Sequence, residues 1–122
     1  MALTLFHRFR VPIFWIVLLG AYIAAILPQQ EAPSLGGSDK TDHVAAFLTL
    51  TFLGRAAYAR RPAWRLGIGL SLFGILIELT QAIPFIGRDA SAWDWVADSA
   101  AILVALAAGV PIERRFPRLY SA

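Results

Sequence analysis

Four long apolar runs, separated by short polar links, limit what this chain can fold into. They cover about residues 11–27, 43–59, 64–83 and 94–112, and the first run contains no charged residue. Each run is close to the ~20 residues that an α-helix needs to cross the hydrocarbon core of a bilayer. The pattern predicts an all-α fold, a four-helix transmembrane bundle.

The composition favours a membrane protein over a hydrophobic soluble helical domain. Of the 122 residues, 58% are hydrophobic and 16% are charged, whereas a soluble domain has about 25% charged residues. The remaining polar surface is too small to cover a soluble fold. The sequence has no internal repeat, so we expect one domain over residues 1–122. The absence of cysteine excludes disulfides, thiolate metal sites and a cysteine nucleophile.

The first apolar run has two interpretations. His7, Arg8 and Arg10 precede it and match the basic flank of a signal peptide. However, the run is long for the apolar region of a signal peptide. We therefore expect this run to be retained as a transmembrane helix.

The positive charges are distributed unevenly along the chain. Nine of the eleven Lys and Arg residues lie near the two termini or around the link between the second and third runs, and the other two are Lys40 and Arg88. Cytoplasmic segments of membrane proteins collect Lys and Arg. Both termini are therefore predicted to be cytoplasmic, with links 28–42 and 84–94 facing outward. Anionic lipid headgroups account for the basic residues, so no nucleic-acid partner is predicted.

Pairs of polar residues recur at helical spacing beside the two outward links. Spacings of three or four residues place each pair on one helix face. The pairs are Asp39 and His43, Glu78 and Gln81, and Asp94 and Asp98. Charged groups inside a membrane pair with one another or face a wet cavity. We therefore expect the three faces to converge at the outer side, with Lys40 and Arg88 as the nearby cations.

Five of these residues also have a structural interpretation. The alternatives are helix capping by Asp39 and Asp94, an interfacial position for His43, and pairing inside the bundle for Glu78 and Asp98.

Two further patterns are interpreted as structural. Trp93 and Trp95 are typical of the aromatic belt at a membrane surface. Small residues on the third and fourth runs predict close helix packing. These are Gly67, Gly69, Ser71 and Gly74, with Ala97, Ala100, Ala101 and Ala105.

The stretches DKTDHVAAF and ELTQAIPFIGRDASAWDWVAD resemble the VanZ-like family of small integral membrane proteins. The family pattern is Asp-Lys-x-x-His-x-x-x-Phe, Glu-x-x-Gln, Pro, Arg and Asp-x-x-x-Asn-x-x-Gly. The matching residues, within a resemblance that spans about residues 11–110, are Asp39, Lys40, His43, Phe47, Glu78, Gln81, Arg88 and Asp94. Asp98 stands in place of the family Asn, and Ala101 in place of the family Gly.

The resemblance implies a multi-pass protein of the bacterial cytoplasmic (inner) membrane with a role in the cell envelope. The family takes its name from a protein associated with resistance to the glycopeptide teicoplanin. The resemblance supplies no established reaction, and glycopeptide resistance is not transferred to this chain.

The first functional hypothesis is an outward-facing site that binds, or modifies, an envelope lipid or a lipid-linked envelope precursor such as a glycan. The candidate catalytic residues are His43, Glu78 and Asp39, as acid and base. The candidate substrate-binding residues are Lys40, Gln81, Arg88, Asp94 and Asp98. A divalent cation is a candidate cofactor, because carboxylates with one imidazole suit Mg²⁺, Mn²⁺ or Zn²⁺.

The second hypothesis is a non-catalytic membrane accessory or scaffold protein. Its charged cluster would be a structural lock, and its surface would engage a partner, with a homodimer as one option. A third hypothesis, an ion pathway, is the weakest, because the other halves of the helices lack the polar residues that a continuous relay needs.

Overall fold

The computed structural model describes residues 2–27, 39–83 and 92–120, and these ranges are helical almost throughout, with no strand among them. The α-helices are α1 (Ala2–Ile26), α2 (Asp39–Ala57), α3 (Ala63–Gln81) and α4 (Ala92–Arg115). A short 3₁₀ helix, Pro117–Tyr120, follows α4. The prediction of an all-α fold with four helices is confirmed.

The helix boundaries differ from the predicted apolar runs. Helix α1 begins at Ala2, well before residue 11, so Arg8 and Arg10 lie on the helix. Helix α2 begins at Asp39 rather than residue 43, and α4 continues to Arg115 rather than ending at residue 112. Hydropathy marks the part of a helix that suits hydrocarbon. The hydrogen-bonded ladder continues past it, because Arg is a good helix former and carboxylates suit a first turn.

Helix α2 is the most enclosed element of the bundle. It packs against each of the other three helices, most extensively against α4. Among the α2 side chains that the structure describes, only Thr41 and Thr49 are exposed. Its buried residues include Phe47 and Leu50, which join one apolar core with Phe14 of α1, Leu70 of α3 and Ile102 of α4.

Within the described ranges, three helices are long and apolar enough to cross a membrane. They are Thr4–Ile26, Ala63–Gln81 and Ala92–Arg115. Their outward faces carry large exposed apolar side chains, including Ile16, Leu72 and Leu103. Such a surface is unfavourable in water, and it indicates a membrane protein.

Helix α2 does not meet the same criterion, so the prediction of four similar apolar spans is confirmed only in part. Its first turn contains Asp39, Lys40 and Asp42, and its last turn contains Arg55. The physical reason is its position. A helix that faces protein on all sides gains little from the apolar residues that a lipid-facing helix requires.

Two side-chain hydrogen bonds join helix α1 to the rest of the bundle, and its retention in the mature protein stays a prediction. The indole of Trp15 donates to the Tyr58 hydroxyl at 2.7 Å. Further along the helix, the hydroxyls of Tyr22 and Thr80 lie 2.8 Å apart. These contacts join α1 to the end of α2 and to α3.

One end of the bundle is called the arginine end. It is formed by the last turn of α2, the start of α3 and the last turn of α4. Arg55 Nε donates to Glu113 Oε1 at 2.7 Å, and Arg55 Nη1 donates to the Arg61 carbonyl at 3.1 Å. The 3₁₀ helix packs on α1, α2 and α4. His7 Nε2 donates to the Arg118 carbonyl at 2.6 Å, so both ends of the described chain meet here.

Candidate functional site

The opposite end of the bundle, where α2 and α4 begin and α3 ends, is called the site end. His43 of α2, Glu78 of α3 and Asp94 of α4 each offer one ligand-type atom there, and these atoms all lie within 4.8 Å of one another. Asp98 lies one turn further along α4, with its Oδ1 3.6 Å from His43 Nδ1. These four residues are called the polar cluster below.

The polar cluster lies inside the bundle. His43 and Asp94 are each 6% exposed and Asp98 is 0% exposed, whereas Glu78 is half-buried. His43 faces inward because Phe47 and Thr51, one and two turns later, are also buried against the core. The interfacial interpretation of His43 is therefore wrong, because its ring faces Asp98 and not the membrane surface.

The antiparallel packing of α3 on α4 sets the position of the two aspartates. A Cβ atom on Gly74 would lie 3.2 Å from Asp98 Oδ2 and 3.5 Å from Phe47 Cζ. The bare glycine backbone therefore leaves room for a buried carboxylate. One turn nearer the site end, Glu78 on α3 and Asp94 on α4 are neighbours for the same reason.

Further polar contacts join α3 and α4 about one turn farther from the site end. The Trp95 indole donates to the Ser71 carbonyl at 3.2 Å and lies at the same distance from the Ser71 hydroxyl. The hydroxyls of Ser71 and Ser99 are 3.0 Å apart. Trp93, by contrast, is 71% exposed. The aromatic-belt interpretation therefore fits Trp93 but not Trp95, which turns toward α3.

Only some of the predicted small residues lie at the contact between α3 and α4. A Cβ on Gly67 would lie 3.3 Å from Leu106 Cδ1, so this glycine faces α4. A Cβ on Gly69 would meet nothing within 4 Å, and Ala100 is exposed. Gly69 and Ala100 therefore do not close the α3–α4 contact, because the helical period turns them outward.

The polar cluster, as defined above, does not include four of the predicted site residues. Asp39 and Lys40 lie in the first turn of α2, but their side chains are outside the described residues, as is all of Arg88. Their pairing with the polar cluster stays a prediction. Gln81 is 1% exposed, and its Nε2 donates to the Ala25 carbonyl at 2.8 Å. This bond joins α3 to α1, and a role for Gln81 in binding a substrate stays a prediction.

Gly74 and Trp95 are the surroundings of the site that sequence reasoning missed. A signal for Gly74 was present, because Gly74 and Glu78 have the same spacing as Asp94 and Asp98. On antiparallel helices two such pairs can face each other. Which of several glycines faces the aspartate depends on the rotation of α3 about its axis. Residue spacing alone does not specify that rotation.

The chemistry available to the polar cluster is that of one imidazole among carboxylates. An imidazole and a carboxylate within reach of each other can exchange a proton with a bound substrate. The same donor set, with one nitrogen and several oxygens, can hold a divalent metal ion. Both uses require access from the site end, where half-buried Glu78 is the most open member.

No family model, curated protein or solved structure matches the chain. The resemblance to the VanZ-like family therefore depends on the motifs alone and stays a hypothesis.

Proposed function

We propose that the chain spans the bacterial cytoplasmic membrane four times, with both termini in the cytoplasm. The end of α1 and the end of α3 lie together, since Gln81 bonds to the Ala25 carbonyl. Helix α3 begins at the arginine end, so α2 must run between the two ends of the bundle. The arginine-rich termini and link support a cytoplasmic arginine end, which makes the site end the outer one.

The function that we propose is binding, and acid–base modification, of the headgroup of an envelope lipid or lipid-linked glycan at the site end. The observation that carries it is the convergence of His43, Glu78 and Asp94 from three different helices to within 4.8 Å. Ionisable groups are expensive at membrane depth and are characteristic of binding sites and proton transfer. Their convergence on one point supports a common ligand.

In this proposal the cations and the polar cluster have different roles. Lys40 and Arg88 bind the phosphate of the headgroup, because a guanidinium matches phosphate geometry and an ammonium adds a positive charge. His43 and Glu78 transfer the proton, and Asp39 stays a further candidate for that role. The motifs shared with the VanZ-like family include all of these residues, and a cell-envelope role is part of the same proposal.

The alternative is a scaffold protein in which the polar cluster locks the fold. The observation that favours it is the complete burial of Asp98 between His43 and the Gly74 backbone. A lock tolerates joint replacement of the cluster by well-packed apolar residues. A binding site does not retain its function after that replacement.

The test is lipid retention by the purified protein. Wild type, Arg88→Gln and Arg60→Gln are extracted in mild detergent, and the lipids that stay bound are identified by mass spectrometry. We expect wild type and Arg60→Gln to retain a phosphate-bearing envelope lipid and Arg88→Gln to lose it, since Arg60 lies at the arginine end. Equal retention by Arg88→Gln would contradict the phosphate site.

Glu78→Gln separates proton transfer from a lock. Gln keeps the shape of the side chain and much of its hydrogen bonding, so a functional Glu78 predicts a folded, membrane-inserted protein that fails to restore the envelope phenotype of a deletion. A structural lock predicts a loss of about 3–5 kcal/mol and low protein amounts. The matched control is Gly67→Leu. This substitution crowds Leu106, which lies outside the polar cluster. Gly74 cannot serve as this control, because it contacts Asp98.

A further inference from the structure

We propose that His43, Glu78 and Asp94 bind one divalent transition-metal ion, and that Asp98 orients the His43 ring. The proposal depends on the proposed function for the phosphate of the headgroup, whose oxygens would take the open positions of the ion. With the ion bound, His43 and Glu78 would be ligands, and a water on the ion would supply the acid–base chemistry in their place. The metal site itself is argued from the geometry of the polar cluster.

The three donors are already close to a coordination geometry. Their ligand atoms lie within 4.8 Å of one another. Three ligands of one zinc ion, each about 2.0–2.2 Å from it, lie roughly 3.3–3.8 Å from one another. Shifts of about 1 Å in side chains on three separate helices therefore satisfy the ion, without movement of the helices.

Charge also favours a cation at this point. Glu78, Asp94 and Asp98 place three carboxyl groups around one imidazole inside the bundle. Like charges at such distances repel strongly where the dielectric constant is low. A divalent ion shared by two of these carboxylates replaces that repulsion with attraction.

The contact between Asp98 and His43 is a separate observation, and it points to His43 as a metal ligand. Its buried carboxylate lies 3.6 Å from His43 Nδ1. Histidines that bind metals commonly direct their other ring nitrogen to a carboxylate, which fixes the ring and raises its basicity. With Nδ1 toward Asp98, the proposal assigns Nε2 to the ion.

The donor set predicts which ions bind. One imidazole nitrogen favours Zn²⁺ over Mn²⁺, and it favours both over Mg²⁺, which prefers oxygen ligands and keeps several waters. Because the protein supplies three ligands, positions remain open for water or phosphate, as in catalytic metal sites. Half-buried Glu78 is the most exposed of the three ligands.

The experiment uses the full chain in detergent, stripped of metal by a chelator and titrated separately with Zn²⁺, Mn²⁺ and Mg²⁺ alone. Equilibrium dialysis with elemental analysis counts the bound ions. We expect one Zn²⁺ per chain and weaker binding of Mn²⁺ and then Mg²⁺. Glu78→Gln and Asp94→Asn should each weaken Zn²⁺ binding strongly, and Asp98→Asn should weaken it roughly 10–100-fold as an outer partner.

His7→Gln and Glu113→Gln are the matched controls, since both residues lie at the arginine end. They should bind Zn²⁺ like wild type. A variant that fails to fold is replaced by wild type loaded with Co²⁺, whose visible absorption reports mixed nitrogen and oxygen ligands directly. No saturable binding, equal affinity for Mg²⁺ and Zn²⁺, or full binding by His43→Gln would overturn the proposal.

The outcome is separable from that of the proposed function. Lipid retention that depends on Arg88, without saturable Zn²⁺ binding, would keep the phosphate site and remove the metal. Saturable Zn²⁺ binding that depends on Glu78, without a retained phosphate-bearing lipid, would keep the metal site and contradict the proposed ligand.

Discussion

At the scale of single residues, the absence of a side chain at Gly74 decides the environment of Asp98. The backbone of α3 approaches so closely that a Cβ would lie 3.2 Å from Asp98 Oδ2 and 3.4 Å from Trp95 Cδ1. Asp98 is in turn 3.6 Å from His43 Nδ1. Gly74 therefore contacts the inner side of the polar cluster, although it has no functional group of its own.

Gly74→Ala should destabilise the protein and move Asp98. The added methyl group crowds a carboxylate and two aromatic rings, and overpacking of this kind costs about 1–3 kcal/mol. Gly67→Ala is the control, because its methyl group would meet only apolar side-chain atoms, Leu106 Cδ1 at 3.3 Å and Ile102 Cγ2 at 3.8 Å, among the described residues. The measurement is unfolding of both variants in mixed detergent micelles. A loss for Gly74→Ala no larger than that for Gly67→Ala would show that Asp98 can move freely.

At the scale of helices, α2 has more polar residues than any other described helix and is the most enclosed one. The polar cluster lies near its start, and Arg55, in its last turn, bonds to Glu113 of α4 and to the Arg61 carbonyl. Between them Thr51 is fully buried, and its hydroxyl donates to the Phe47 carbonyl at 2.7 Å. The other three helices shield these groups from hydrocarbon.

Arg55 and Glu113 should depend on each other for their contribution to stability. Their side chains are only 15% and 23% exposed and meet at 2.7 Å. Glu113→Leu should cost roughly 1–3 kcal/mol, because it leaves a partly buried guanidinium without its charged acceptor.

The double variant Arg55→Met with Glu113→Leu should recover much of that loss, since two apolar side chains replace the pair. A double-mutant cycle on unfolding free energies measures the coupling. Additive losses from the two single variants would show that the ion pair contributes nothing.

At the scale of the whole molecule, the 3₁₀ helix closes the arginine end by packing on three helices. Burial, followed by the negative charge of Glu113, raises the pKa of the Tyr120 phenol, and Arg55 opposes this effect. The neutral phenol is therefore the form that the folded protein favours.

The docking of this segment should weaken at high pH. Because the pKa of Tyr120 is higher in the folded protein than in the unfolded chain, its contribution to stability is complete below the usual tyrosine pKa of about 10. That contribution is lost as the pH rises from there through the folded-state pKa.

Ultraviolet titration of the three tyrosines checks this, with Tyr120→Phe as the control. The phenol that is missing in Tyr120→Phe should ionise at a higher pH than free tyrosine. Ionisation of that group at or below the pH of free tyrosine would contradict the prediction.

The orientation of the whole bundle is tested by single cysteines, since the natural chain has none. Pro62→Cys should be protected from an impermeant thiol reagent added outside, because the link between α2 and α3 lies at the arginine end. Leu35→Cys and Ala90→Cys, in the two outward links, should be labelled. The reverse pattern would invert the topology and place the polar cluster at the cytoplasmic side.

The sequence by itself determined the helical class, the number of helices and four of the polar residues that meet, whereas Gln81, expected beside them, bonds to α1. Apolar runs and three- or four-residue spacings are local properties of a helix, so His43 with Glu78, Asp94 and Asp98 could be predicted from them. Only the tertiary structure decided that α2 is enclosed, that Gly74 contacts Asp98, that Trp95 turns toward α3 and that Arg55 meets Glu113. These features depend on how far each helix rotates about its axis and slides along its neighbours. Packing between residues far apart in the chain sets both.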